Sequence, residues 1–187
     1  MKNAKIKNIV SEHKNLINKF DETFYNSIKV AIELFRNAII SDCNIFLCGN
    51  GGSAADCQHI AAELIGRFQK NRRPFKAFAL TTDSSIMTCI SNDFNYEQIF
   101  SRQLKAMGNK GDLLVSISTS GNSKNIINVI NEANKKEIKT LSLLGGNGGE
   151  AKKITNHSVI VPSKNTARIQ EIHILIAHII CEFLEDL

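Results

Sequence analysis

The sequence predicts an α/β domain in which helices cover both faces of a parallel sheet. After residue 41, short apolar runs alternate with longer polar stretches of helical character, and this alternation is typical of right-handed βαβ units. The runs are nearly continuous in hydrophobicity, as expected for strands that are buried on both faces. Five strands are therefore predicted, at residues 45–48, 77–80, 113–117, 140–144 and 158–161.

The N-terminal forty residues are predicted to be helical. Leu16, Phe20 and Phe24 follow one another at intervals of four, and the apolar stripe continues to residue 39. Asp21 could start a second helix, so this segment is either two helices or one bent helix. Further helices are predicted at residues 53–68, 95–107, 123–136 and 166–187. We find no repeat or linker and predict one domain, 1–187, with residues 1–40 as an N-terminal helical extension.

Composition excludes several classes of protein. The chain has 187 residues and 43% hydrophobic content, which is ordinary for one globular domain and too high for disorder. No apolar run approaches the ~18–20 residues of a membrane span, and residues 1–18 lack the features of a signal peptide. The five cysteines have no CxxC spacing, which favours reduced thiols and a cytoplasmic location. The net charge of +5 permits an anionic ligand, but the scattered lysines do not predict nucleic-acid binding.

Two polar loops follow predicted strands and precede predicted helices. Their sequences are Gly-Asn-Gly-Gly-Ser at residues 49–53 and Ser-Thr-Ser-Gly-Asn-Ser at residues 118–123. Ligands of open parallel sheets bind beyond the carboxyl ends of the strands, and helix N-termini favour anions. Since neither loop has a P-loop lysine or a GxGxxG pattern, a phosphate monoester is favoured over a nucleotide. The alternative is that these hydroxyls only cap helices and form turns.

A second candidate site involves two helices. His59 and Glu63 have i, i+4 spacing, which places both side chains on one face as half of a metal site or a base beside an imidazole. The alternative is a pair without function. The C-terminal helix is apolar nearly all round, so its polar residues need partners or a function. Gln170 and His178 lie ~12 Å apart along the helix axis, and Glu171 shares the stripe of His178 more closely. Spacing alone therefore leaves Gln170 and Glu171 open. His173 is a further polar residue of this helix.

Four segments carry a family resemblance. They are GNGGSAADCQHIAAE at residues 49–63, SNDF at 91–94, STSGNS at 118–123 and RIQEIH at 168–173, with His178 following. Together they resemble the phosphoheptose isomerases, which are sugar-isomerase (SIS) domain enzymes that convert sedoheptulose 7-phosphate to glycero-manno-heptose 7-phosphate. The likeness covers almost the whole chain in order, whereas STSGNS alone marks only the wider SIS superfamily.

The resemblance implies a fold, an assembly and a set of site residues. The fold is a three-layer α-β-α sandwich of flavodoxin type with a five-stranded parallel sheet, and the assembly is a homotetramer with active sites between subunits. The N-terminal helices are expected to serve oligomerisation. One zinc ion per subunit is implied, with the ligands His59, Glu63, Gln170 and His178. The implied substrate-binding residues are Asn50, Gly51, Gly52, Glu63, Asn92, Asp93, Ser118, Thr119, Ser120, Ser123 and Gln170.

Isomerisation through an enediol needs a base for the carbon proton and an acid for the oxygens. The expected base is Glu63 and the expected acid is His178. Some family members carry an aspartate where this chain has Ala167, so an auxiliary acid is not expected there. An alternative class is a non-catalytic SIS tetramer that binds the replication initiator DnaA and shares both polar loops. The pairing of His178 with His59 and Glu63 favours the enzyme.

Overall fold

The computed structural model describes residues 2–187 and contains a five-stranded, entirely parallel sheet. The strand order is β2-β1-β3-β4-β5, and the five predicted strands are confirmed with ends that shift by at most one residue. Met1, the first residue of the predicted extension, lies outside the described residues. The strands are β1 Ile45–Gly49, β2 Ala77–Ala79, β3 Leu113–Ser118, β4 Lys139–Gly145 and β5 His157–Val161.

Eight α-helices accompany the sheet among residues 2–187. The N-terminal segment is two helices, because the carboxylate of Asp21 accepts a hydrogen bond from the backbone N–H of Phe24 and caps the second helix. A 3-10 turn at Tyr96–Gln98 precedes the fifth helix. The helices are α1 Lys2–Ile17, α2 Glu22–Ile40, α3 Gly52–Ile65, α4 Ser84–Asp93, α5 Ile99–Met107, α6 Lys124–Lys135, α7 Ala151–Ile154 and α8 Thr166–Leu184.

Two hydrophobic cores form the predicted three-layer sandwich. Alternate side chains of each strand point to opposite faces, so Leu47 of β1 joins one core and Phe46 joins the other. The first core packs the sheet against α2, α3 and α8, and the second packs it against α4, α5, α6 and α7. The prediction of a sheet covered on both faces is confirmed.

The strand order sets the position of the two polar loops. Strands β1 and β3 are neighbours, with Gly49 of β1 opposite Ile117 of β3. Their carboxyl ends therefore lie side by side, and each leads into a helix, α3 or α6. In the part of the chain that the structure describes, no helix is both long enough and apolar enough to cross a membrane.

His173 of α8 is a core residue. Its side chain is completely buried, and Nε2 lies 3.2 Å from the carbonyl oxygen of Leu144 in β4. Nδ1 is buried without a hydrogen-bond partner. Burial lowers the pKa of His173 from 6.5 to about 4, because the charged imidazolium is disfavoured away from water. The residue is therefore neutral in the folded protein at neutral pH.

This lowered pKa predicts a loss of stability in acid. Between pH 6.5 and 4 the unfolded chain protonates His173 and the folded chain does not, so the free energy of unfolding falls as the pH falls. The total loss over this window is about 3 kcal/mol, and it increases no further once both states are protonated below it. We expect His173→Gln, which keeps a donor for Leu144, to remove this part of the pH dependence. Urea unfolding of both proteins at pH 7 and pH 5 measures it, and the same slope in both would contradict the prediction.

Candidate active site

The two polar loops enclose a cavity at the carboxyl ends of β1 and β3. Its volume is about 190 Å³, and none of its lining residues carries a formal charge. A neutral lining of hydroxyl and amide groups can donate hydrogen bonds to a phosphate monoester without a fixed countercharge. The lining residues are Asn50, Ser53, Ile117, Ser118, Thr119, Ser120, Ser123, Thr166 and Gln170.

The hydroxyls of this cavity differ in how they are engaged. The Oγ atoms of Ser118 and Ser120 accept hydrogen bonds from the backbone N–H groups of Gly121 and Asn122, at 3.1 and 3.2 Å. Ser123 stands at the N-cap of α6 but makes no side-chain capping hydrogen bond. The alternative that these hydroxyls form turns therefore fits Ser118 and Ser120. Both can still donate their own hydroxyl protons to a ligand. The alternative does not fit Ser123, which leaves the positive end of α6 available to an anion.

A wider cleft adjoins the cavity on the side of β4 and β5. Its volume is about 690 Å³, and it shares Thr119, Ser120 and Thr166 with the smaller cavity. Lys164 lies in the lining of this cleft, so a cation is present near the neutral cavity but not inside it. The cleft provides an open approach from solvent.

Asn50 is held by partners that the sequence did not reveal. Its Oδ1 accepts hydrogen bonds from Asn125 Nδ2 at 2.8 Å and from the hydroxyl of Tyr96 at 2.9 Å, and its Nδ2 donates to Asn125 Oδ1 at 3.0 Å. Asn125 is 2% exposed. This network fixes the first polar loop to α6. The sequence places Asn125 in the first turn of a predicted helix, but this position alone does not identify Asn50 as its partner.

Two of the three glycines of the first loop, Gly51 and Gly52, have structural reasons to be glycine. Gly51 has a φ of 56° and stands at the N-cap of α3, a left-handed conformation that favours glycine. A Cβ atom on Gly52 would lie 2.5 Å from Nε2 of Gln170. The start of α3 therefore packs directly against Gln170, whose side chain completes the cavity.

Three of the predicted metal ligands come together where α3 and α8 lie side by side. His59 Nε2 is 3.2 Å from Glu63 Oε1, and His178 Nε2 is 3.4 Å from His59 Nε2. The ring of Phe68 lies 5.4 Å from that of His178, a contact that the sequence analysis missed. We call His59, Glu63 and His178 the histidine cluster. The side chain of His59 is 46% exposed, so the cluster faces outward.

The donor chemistry of the histidine cluster fits zinc in part. At zinc–nitrogen bonds of 2.0–2.1 Å, two ligands of a tetrahedral site are about 3.3 Å apart, which matches both distances centred on His59. Yet within residues 2–187 no three His, Cys, Asp or Glu side chains form a group that could hold a metal ion. Gln170 is also distant, because its contact Gly52 precedes His59 by seven residues, or about 10 Å along α3. One subunit thus provides paired donors but not a complete site.

The remaining candidates lie elsewhere. Glu171 faces α1, where its carboxylate binds His13 at 2.7 Å and forms an ion pair with Arg168. Spacing alone did not distinguish Gln170 from Glu171. In the structure Gln170 lines the cavity, whereas Glu171 does not. Asn92 and Asp93 are exposed at the end of α4 and bonded to each other at 2.9 Å, outside the cavity lining. Their role as substrate contacts stays a prediction.

Comparisons with known proteins agree with this architecture. A family model described as the SIS domain matches residues 10–145. The chain is 50% identical over 184 residues to a phosphoheptose isomerase of Sulfurimonas denitrificans, covering 98% of this chain and 90% of the relative. It is 46% identical over 173 residues to the phosphoheptose isomerase of Helicobacter pylori strain P12, covering 92% and 90%.

Solved structures agree over the full length. The phosphoheptose isomerase structure from Neisseria gonorrhoeae superposes with a TM-score of 0.94 at 36% identity, covering 100% of both chains. The corresponding structure from Francisella tularensis has a TM-score of 0.96 at 32% identity with the same coverage. Together with the SIS-domain match and the order of the four motifs, these likenesses show that the chain belongs to the phosphoheptose isomerase family of SIS-domain proteins.

Proposed function

We propose that this protein converts sedoheptulose 7-phosphate to D-glycero-D-manno-heptose 7-phosphate. The observation that carries the proposal is the 50% identity to a phosphoheptose isomerase over 98% of the chain. The neutral hydroxyl-lined cavity supports it, because its size and donors suit a single phosphate group. The reaction would be the first step of activated-heptose biosynthesis for lipopolysaccharide core or capsule. All five thiols are free, which supports a cytoplasmic location.

The proposed chemistry assigns two roles to the histidine cluster. Glu63 acts as the base that removes the proton from C1 of the ketose and returns it to C2 through an enediol. His178 acts as the acid partner that exchanges protons with the oxygens on C1 and C2. A zinc ion held by His59, Glu63, Gln170 and His178 would instead supply Lewis-acid stabilisation of the developing negative charge in place of proton donation by His178, with Glu63 shifting between ligand and base. The phosphate is held by Ser118, Thr119, Ser120 and Ser123, with Asn50 and Gln170 beside it.

The distance between cavity and cluster supports a site shared between subunits. Glu63 follows Gly52 by eleven residues, or about 16 Å along α3. Gly52 and Glu63 lie near opposite ends of α3, so the base and the phosphate cavity of one subunit are well separated along the helix axis. We therefore propose a homotetramer whose active sites lie at subunit interfaces, where a neighbour supplies the missing groups.

The first helix supports this assembly. Only Leu16 of α1 is buried, whereas Ile6, Ile9 and Val10 are 58%, 41% and 53% exposed. These three side chains share one face of the helix at i, i+3, i+4 spacing, and an apolar stripe open to water is typical of an interaction surface. We propose that this stripe contacts a second subunit, as expected for the N-terminal extension.

The enzymatic role of Glu63 is tested by turnover of sedoheptulose 7-phosphate. We expect Glu63→Gln to lower kcat by about 10²–10⁴-fold, the usual contribution of a general base, while substrate binding measured by calorimetry persists. Glu182→Gln, an exposed change on α8, is the matched control. His178→Gln should behave as Glu63→Gln does. Near-wild-type activity of Glu63→Gln would contradict the assignment.

The same assay separates the enzyme from the alternative interpretation. A non-catalytic tetramer that binds DnaA would show no turnover in the wild-type protein, and that result would overturn the proposed function. None of the relatives described above is named as an initiator-binding protein.

The proposed zinc ion predicts a reversible loss of metal and activity. Exhaustive dialysis against a chelator should remove about one zinc per subunit, as measured by elemental analysis, and abolish turnover; added zinc should restore both. His59→Ala should reduce the zinc content of purified protein, whereas His157→Ala, remote from the cluster on β5, should not. Full activity of metal-free protein would leave zinc without a role in the reaction.

The assembly is tested by placing charge on the exposed stripe. We expect the double variant Ile6→Lys and Val10→Lys to dissociate into smaller species, because buried unpaired charges are costly at an interface. Asn8→Lys with Ser11→Lys adds the same charge to the opposite face of α1 and should leave the tetramer intact. Sedimentation velocity measures the mass in each case. A wild-type monomer, or a double variant that remains tetrameric, would refute the proposed contact.

A further inference from the structure

The connection between α3 and β2 carries an arginine that binds the end of α3. Nη2 of Arg72 donates to the carbonyl oxygen of Glu63 at 2.7 Å, and Nη1 donates to the carbonyl oxygen of Leu64 at 2.9 Å. Helix α3 ends at Ile65, so both carbonyls belong to the last turn, which lacks its usual intrahelical partners. The arginine thus caps the turn that carries Glu63 and places positive charge at the negative end of the helix dipole.

The guanidinium of Arg72 is itself held in place. Its carbon lies 4.0 Å above the centre of the Phe75 ring, and Phe75 is a buried core residue. Nη1 also donates to the carbonyl oxygen of Arg73 at 2.9 Å. A planar guanidinium fixed by stacking presents two donors in a rigid fork, which a lysine cannot reproduce. Arg72 therefore stabilises the end of α3 in two ways: its charge interacts with the helix dipole, and its two hydrogen bonds hold the backbone carbonyls in position.

The same connection is attached to the end of α8. Glu185, which is 6% exposed, accepts hydrogen bonds from the backbone N–H groups of Gln69 and Lys70 at 2.5 and 2.6 Å. Between these anchors and α3 lies Phe68, whose ring is 5.4 Å from that of His178. The connection therefore joins the two helices that carry the histidine cluster, at α3 through Arg72 and at α8 through Glu185.

We propose that Arg72 is a positioning residue for catalysis, which holds the last turn of α3 so that Glu63 keeps its orientation toward His59. This inference rests on the proposed function, in which Glu63 is the base. Arg72 touches the backbone of Glu63 and not the reacting atoms, so it acts through Glu63. Proton transfer depends strongly on geometry, and a displacement of about 1 Å can cost on the order of 100-fold in rate.

The neighbouring arginine provides a matched control. Arg73 lies over the same Phe75 ring at 5.2 Å, but its Nη2 donates to the carbonyl oxygen of Ile39 at the end of α2, at 3.2 Å. The two arginines thus share an aromatic contact and the capping of a helix end. They differ in whether the capped helix carries Glu63.

The experiment compares Arg72→Ala and Arg72→Lys with Arg73→Ala and Arg73→Lys. We expect both Arg72 variants to lower kcat by about 10–100-fold with little change in KM, because the loss concerns the transition state and not substrate binding. The Arg73 variants should retain wild-type kcat at a similar melting temperature. Millimolar ethylguanidinium should partly restore kcat in Arg72→Ala, since it can refill the position above Phe75, and should have no effect on Arg73→Ala. If Arg72→Ala does not fold, Arg72→Lys still provides the comparison.

The outcomes are distinguishable from failure of the proposed function. Wild-type protein without turnover would overturn both the proposed function and this role. An active wild type whose Arg72 and Arg73 variants lose equal kcat in proportion to their melting temperatures would overturn only the role of Arg72. An Arg72 variant that raises KM alone would also overturn it.

Discussion

The packing of α3 against α8 is the contact on which the candidate site depends. A Cβ atom at residue 52 would lie 2.5 Å from the amide nitrogen of Gln170, so the Gln170 side chain would have to move to accommodate any larger residue there. Seven residues later on α3, His59 meets His178, which follows Gln170 by eight residues on α8. Both helices advance by about 1.5 Å per residue. Two helices that pack together at their beginnings therefore hold two imidazoles together about two turns later.

The electrostatics of the site are local and owe little to the net charge. The cavity proposed to bind the phosphate is lined by neutral groups and lies beside the N-terminus of α6, where the backbone supplies partial positive charge. Several lysines form exposed ion pairs instead, such as Lys110 with Glu137 at 2.7 Å, and such pairs contribute little to stability. The charge of +5 is thus distributed mainly over the surface, and an anion entering the cavity would be bound by oriented N–H and O–H groups.

Much of the fold followed from local patterns, and what did not follow depends on contacts between distant parts of the chain. The central strands β1, β3 and β4 are buried on both faces and leave a continuous apolar signal. The edge strands β2 and β5 are partly exposed but were still marked by short apolar runs. Helix α4 was missed: its ten residues include three serines and a threonine, and only Ile90 is buried, so no wide apolar face marks it. Spacing left Gln170 and Glu171 open, and the partner that Glu171 has in the structure, His13, is 158 residues away in the sequence. The hydrogen bonds of Asn50 to Tyr96 and Asn125 also join residues that are far apart in the sequence, by 46 and 75 positions.

The structure also indicates why catalysis and assembly would be linked in this chain. The proposed phosphate cavity and the histidine cluster lie at different positions along the axes of α3 and α8. Ile60 of α3 and Ile176 of α8 are buried in the core of the domain. In the tetramer proposed above, a second subunit would supply the groups that one chain does not bring to its cavity. In that assembly, the half-exposed His59 would be a donor open to a neighbour, and association would complete a site whose parts are prepared by folding of one chain.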